Sequence, residues 1–116
     1  MIRLRRMQDS EFQDYLAYFI PDYAAEISSN YDVELEVAHE RAEQEVEADL
    51  GQGVDSPGQD LFCIVNNEAS VVGYFWCKPG AGNEPVFISD FCILPPCRGK
   101  GYAKLALAAL EAEYAG

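Results

Sequence analysis

The stretch Phe87–Leu110, FISDFCILPPCRGKGYAKLALAAL, decides how this chain folds. It opens on β-branched and aromatic residues in the manner of a strand and turns at Pro95-Pro96. It then runs through Arg98-Gly99-Lys100-Gly101 into an alanine- and leucine-rich segment of high helix propensity. A strand ending at Ile93 and a helix starting just after Gly101 bring several backbone amides and the positive end of a helix dipole to one spot. Gly99 and Gly101 permit backbone geometry that a side chain would obstruct, Ala103 keeps the first helical turn slim, and Arg98 and Lys100 add positive charge. The segment reads as an anion-binding turn in a chain whose net charge is −12. Other phosphate loops fit less well. A Walker loop needs Ser or Thr after its lysine, where Gly101 stands, and a glycine five positions before Gly99, where Leu94 stands. A dinucleotide fingerprint needs a third glycine where Lys104 stands. The plain alternative is a glycine turn that only starts a helix.

Upstream of this stretch, LFCIV, the turn NNEA and SVVGYFWC predict a hairpin of two strands, with Gly73 marking a bulge or a close backbone approach. GQGVDSPGQD and KPGAGNEP are loops. At the N-terminus IRLRRM alternates as a half-exposed strand. A helix follows, capped by Asp9 or Ser10 with Gln13 completing a capping box, and Phe12, Tyr15, Leu16, Phe19 and Tyr23 make its apolar stripe. Pro21 predicts a kink or break in it. A second helix is expected over 32–50, with Leu35, Ala38, Ala42, Val46 and Leu50 inside and Glu36, Glu40, Glu43 and Glu47 on a solvated outer face. The predicted order is β-α-α-β-β-β-α, an α+β arrangement.

At 116 residues the chain is expected to form one domain, and its 49% apolar and 12% aromatic content is that of a folded protein. Twenty acidic residues against eight basic ones disfavour a nucleic-acid partner and would draw in a small cation such as an amine. No run approaches the roughly 20 apolar residues that cross a bilayer, so no membrane partner is expected and the expected compartment is the cytoplasm. Cys63, Cys77, Cys92 and Cys97 form no C-x-x-C pair, and His39 is the only histidine. The first three cysteines read as small buried apolar residues on strands, with no metal role.

ILPPCRGKGYAKLAL resembles the acetyl-CoA-binding signature of the GNAT superfamily of N-acetyltransferases, R/Q-x-x-G-x-G/A after a central strand, with Arg98, Gly101 and Ala103 at its fixed positions. The resemblance extends over most of the chain and to the small bacterial members. It implies a mixed, mostly antiparallel sheet and direct transfer of an acetyl group from acetyl-CoA to a small-molecule or peptide amine. The amides of Arg98, Gly99, Lys100, Gly101, Tyr102 and Ala103 would then hold the CoA diphosphate. Main-chain groups of Cys92 and Ile93 would take the pantetheine arm and thioester, and a strand amide would stabilise the oxyanion. Asp90, two residues before Cys92 on the central strand, is the carboxylate best placed to be the general base, the plainer alternative being a hydrogen-bonding partner for backbone or for an arginine. A base is useful because an alkyl amine of pKa about 10.4 is neutral in only on the order of one molecule in a thousand at pH 7. Glu26 and Tyr23 are weaker candidates for the acceptor side, and Glu84 weaker still. Relatives continue past this point with a strand, a helix and usually a last strand, so the sequence is expected to be C-terminally truncated. The residue that protonates the leaving thiolate cannot then be assigned. An uncovered strand edge would favour a homodimer. A non-catalytic remnant that binds CoA or a protein partner is the alternative reading.

Overall fold

Short apolar runs broken by glycine and proline loops give four strands, and the two helical periodicities between the first and second strands give a helical pair. The computed structural model describes residues 1–115. Its elements are β1 (Arg3–Arg6), α1 (Asp9–Tyr31), α2 (Leu35–Leu50), β2 (Asp60–Val65), β3 (Val71–Lys78), β4 (Phe87–Ile93) and α3 (Tyr102–Tyr114). The strands lie in the order β1-β2-β3-β4 and every neighbouring pair is antiparallel. The expected element order and the α+β class are both observed. Two compact units are formed, one of Met1–Met7 with the residues from Gly58 onward, the other of Gln8–Pro57.

In the sheet unit, α3 packs Ala106 and Leu110 onto Phe62, Ile64, Val72, Phe75, Cys77 and Ile93. Cross-strand partners share a face of the sheet, so Phe62, Phe75 and Phe91 form one row beneath α3. The Phe75 and Phe91 rings stack with centroids 4.4 Å apart. A bulge breaks the row's alternation. Trp76 pairs with Asp90 but Cys77 pairs with Ile88, which leaves Ser89 as the extra residue and puts Ile88 and Asp90 on opposite faces. Gly73 sits beside a second irregularity, between Ile64 and Val65, and a Cβ there would overlap the carbonyl oxygen of Cys92. Both expectations for that glycine hold. At the far end of α3, Tyr114 donates to Asp60 Oδ2 at 2.6 Å while Arg6 pairs with Asp60 Oδ1 at 2.8 Å.

In the helical unit, α1 is one helix through Pro21, where a kink or break was expected. The proline forfeits one backbone hydrogen bond, and buried Tyr15, Phe19, Ala24 and Ile27 on both sides hold the helix together. Its cap also differs from expectation. Gln8 precedes the helix and its N–H donates to Glu11 Oε1 at 2.9 Å, so the box begins one residue before Asp9. The rings of Tyr15, Phe19 and Tyr23 stack in succession, and Tyr23 donates its hydroxyl to Glu45 on α2 at 3.1 Å. In α2 the residues Ala38, Ala42, Val46 and Leu50 are buried as expected, whereas Leu35 is 59% exposed because it is the first residue of a helix that starts three positions later than the sequence suggests.

Candidate functional site

The site forms where β4 leaves the sheet. Leu94 N–H donates to Val72 O at 2.8 Å, which makes Gly73 and Ile93 a wide pair whose main-chain groups do not bond each other. Ile93 therefore turns its N–H and C=O away from β3, and Phe91 does the same, while the groups of Cys92 face Tyr74. Because β4 is the last strand of the described sheet, the Phe91 and Ile93 groups face its open edge.

After Leu94 the chain makes a 3-10 turn at Pro95–Cys97, with Cys97 N–H on Leu94 O at 2.8 Å and Arg98 N–H on Pro95 O at 3.3 Å. Gly99 and Gly101 both have φ 80°, the left-handed region, and bracket Lys100. A Cβ on either would meet no protein atom within 4 Å, so backbone conformation and not crowding calls for glycine at both positions. Gly101 is the residue from which α3 starts, and no side chain caps that helix. Among the described residues, no turn hydrogen bond uses the amides of Gly101, Tyr102 or Ala103. Three successive donors and a helix dipole thus converge on one point.

A cavity of about 310 Å³ adjoins that point, bordered by Phe91–Ile93 and by the turn from Cys97 to Ala103 except Lys100. Of the residues expected at the cofactor, Cys92, Ile93, Arg98, Gly99, Gly101, Tyr102 and Ala103 line this cavity, and Lys100 is exposed in the turn without lining it. Arg98 directs its Nε–H back onto Ile93 O at 2.8 Å. Asp90 is outside the lining and lies on the sheet face away from α3, opposite Trp76. Tyr23 belongs to the helical unit, where its hydroxyl is held by Glu45, and its pKa is raised by burial and then by that bond. Glu26 is exposed on α1, and Glu84 is exposed in the loop before β4, its N–H on Ala81 O.

Phe91 and Cys97 border the cavity without having been expected there. For Phe91 the missing information was the ladder's register, which decides which residues of an edge strand present their main-chain groups outward. For Cys97 it was the 3-10 turn that swings the residue back over the strand end. The bulge was not read from FISDFCI, which carries no glycine to mark it. At the bulge Ser89 Oγ is buried with no hydrogen-bond partner among the described residues. Also among the described residues, no group of His, Cys, Asp or Glu is placed to hold a metal ion, and no helix is long and apolar enough to cross a membrane.

The chain is similar to proteins of the acetyltransferase family. A profile of the Acetyltransferase (GNAT) family matches residues 12–116. The uncharacterized N-acetyltransferase YycN of Bacillus subtilis is 38% identical over 112 residues, which span 95% of this chain and 72% of YycN. YdgE, a second uncharacterized N-acetyltransferase of the same organism, is 31% identical over 93% of this chain and 70% of its own length. The crystal structure of YycN superposes with a TM-score of 0.87 at 36% identity, over 97% of this chain and 73% of that one. An acetyl transferase structure from Pyrococcus furiosus, 18% identical with a TM-score of 0.51, speaks to the fold alone.

Proposed function

The chain belongs to the GNAT family of acetyltransferases, and we propose that it moves an acetyl group from acetyl-CoA directly to a primary amine. One observation carries this reading. Among the described residues, no turn hydrogen bond uses the three successive amides of Gly101 to Ala103 at the start of α3, and they adjoin a cavity bordered by Phe91–Ile93 of β4. That arrangement suits a diphosphate at the turn and an extended thioester arm along the strand.

In this reading the amides of Gly101, Tyr102 and Ala103 grip the diphosphate, Gly99 and Gly101 hold the backbone open for it, and Lys100 contributes charge from the solvent side. Cys92 and Ile93 flank the pantetheine arm, which pairs with the Ile93 N–H and the outward main-chain groups of Phe91. Acetyl-CoA supplies an acyl group activated by its sulfur. A Phe91 or Ile93 amide is the donor for the carbonyl oxygen as charge gathers on it, a contribution of about 2.7–4 kcal/mol in comparable sites. Asp90 accepts the amine's proton, directly or through a water, because an alkyl amine of ordinary pKa is almost wholly protonated at pH 7. The acceptor is a small-molecule or peptide amine, favoured by the net charge of −12. Among the described residues the four cysteines form no disulfide, which suits the reducing cytoplasm, where we place the protein.

Thiol release from acetyl-CoA with a panel of primary amines tests the proposal. We expect release that depends on the amine and rises with pH as more amine becomes neutral. Tight acetyl-CoA binding with no amine-dependent release across the panel would contradict transfer while leaving cofactor binding in place.

A further inference from the structure

Arg98 stands in the turn beside the proposed diphosphate site, and its charge alone would suggest a phosphate ligand. Its geometry suggests another task. Nε–H donates to Ile93 O at 2.8 Å in a partly buried bond, spanning the 3-10 turn from its exit back to the end of β4. The Ile93 carbonyl is one of the groups that the register turns away from β3, so no ladder bond restrains it. Arg98 and Ile93 both line the cavity, one from the turn and one from the strand. The bond therefore fixes the separation between the two places that the cofactor has to reach at once: the amides at the start of α3 and the open strand edge.

We propose that the Arg98 side chain is a positioning residue, a strut that sets the spacing of turn and strand through the Ile93 carbonyl, and that its hydrogen bond matters more than its charge. This inference rests on the acetyl-CoA reading above. A strut of this kind fixes where the pantetheine arm runs once the diphosphate is bound, because the carbonyl it occupies is no longer free to pair with the arm. The neighbouring Ile93 N–H and the Phe91 groups remain for that pairing.

Bond counting supplies a test. The Nε2 of glutamine lies as many bonds from Cα as the Nε of arginine, so Arg98→Gln keeps a donor at that place and loses the charge. Lysine has a methylene there, so Arg98→Lys keeps the charge and loses the donor, and Arg98→Met loses both. The measurement is calorimetric affinity for acetyl-CoA at two salt concentrations, with thermal unfolding to establish that each variant is folded. The expected result is a loss of about tenfold in Arg98→Lys and Arg98→Met, substantial recovery in Arg98→Gln, and a salt dependence in Arg98→Gln equal to that of the wild type. A tenfold loss corresponds to about 1.4 kcal/mol, the scale of one hydrogen bond. If Arg98→Lys retains affinity while Arg98→Gln loses it and becomes less salt-sensitive, Arg98 is a phosphate ligand and the inference falls. Equal losses in Arg98→Lys and Arg98→Gln, or no loss in any variant, overturn it too. Failure of the wild type to bind acetyl-CoA sinks the underlying reading instead, so the two failures are distinguishable. If Arg98→Lys does not fold, the comparison of Arg98→Met with Arg98→Gln decides, since both are uncharged and of similar length and only glutamine carries a donor.

Discussion

Gly99, Gly101 and Gly73 are glycines for different reasons, and substitution separates them. At Gly99 and Gly101 the left-handed backbone is costly for any other residue while the space around it is open. Gly99→Ala should therefore lower stability by about 1–2 kcal/mol, as read by chemical denaturation, with the fold intact. At Gly73 the backbone is ordinary but the Cys92 carbonyl occupies the place a methyl group would need. Gly73→Ala should cost more than Gly99→Ala, roughly 2 kcal/mol or above, because the β3–β4 ladder has to shift. Equal costs would show that crowding at Gly73 relaxes freely. The sequence made Gly99, Gly101 and Gly73 legible because glycine leaves a mark in the letters. It left Phe91 and Ser89 unmarked, since their roles follow from register and from a bulge, which are properties of the pairing partner as well as of β4 itself.

Among the elements, α3 is held at both ends. Its start rests on the turn, and near its end Tyr114 bonds to Asp60, which also takes Arg6, while the Tyr114 ring meets Phe62 edge-on with centroids 6.2 Å apart. Burial, and then the Asp60 bond, push the Tyr114 hydroxyl well above its ordinary pKa, and burial with the nearby Asp60 carboxylate pushes the Cys77 thiol up to about 11. Both groups are neutral when protonated, and folding favours that form. The Cys77 contribution is therefore complete below its ordinary value of 9.0 and is lost as pH climbs through about 11, while that of Tyr114, complete below 10.0, is lost only at higher pH. The melting temperature should fall between pH 9 and pH 11, and Cys77→Ala should soften that fall. An identical fall in the variant would contradict the assignment. Tyr114→Phe at pH 7 should cost about 1–3 kcal/mol, since it leaves the charged Asp60 short of a partner. No spacing rule links positions 6, 60 and 114, so this cluster was out of reach of the sequence. The helices were legible from their stripes, and α1 runs unbroken through Pro21 because burial on both sides outweighs the local penalty.

Across the whole chain, charge is segregated more sharply than the net value suggests. Between Gln8 and Pro57 stand fourteen Asp and Glu against one Arg, while the remaining residues hold six acidic and seven basic ones. The helical unit thus carries nearly all the negative field, and the sheet unit, with the turn around Gly101, is close to neutral. At saturating acetyl-CoA, the KM of a cationic amine should rise several-fold as salt is raised from about 0.05 M to about 0.5 M, where the screening length shortens to a few Å. A KM indifferent to salt would show that this field plays no part in drawing the acceptor. Fold class and element order were legible because each element announces its own period. The acceptor was not, because its recognition depends on side chains from distant parts of the sequence. The claim beneath all of this is that the turn around Gly101 grips a diphosphate through its backbone. Calorimetric titration of acetyl-CoA into the wild type and into Gly101→Glu tests it most directly. We predict measurable binding by the wild type and a loss of at least about a hundredfold in the variant, about 2.7 kcal/mol, from backbone strain and a carboxylate facing the phosphates. Equal affinity in the two proteins would contradict it.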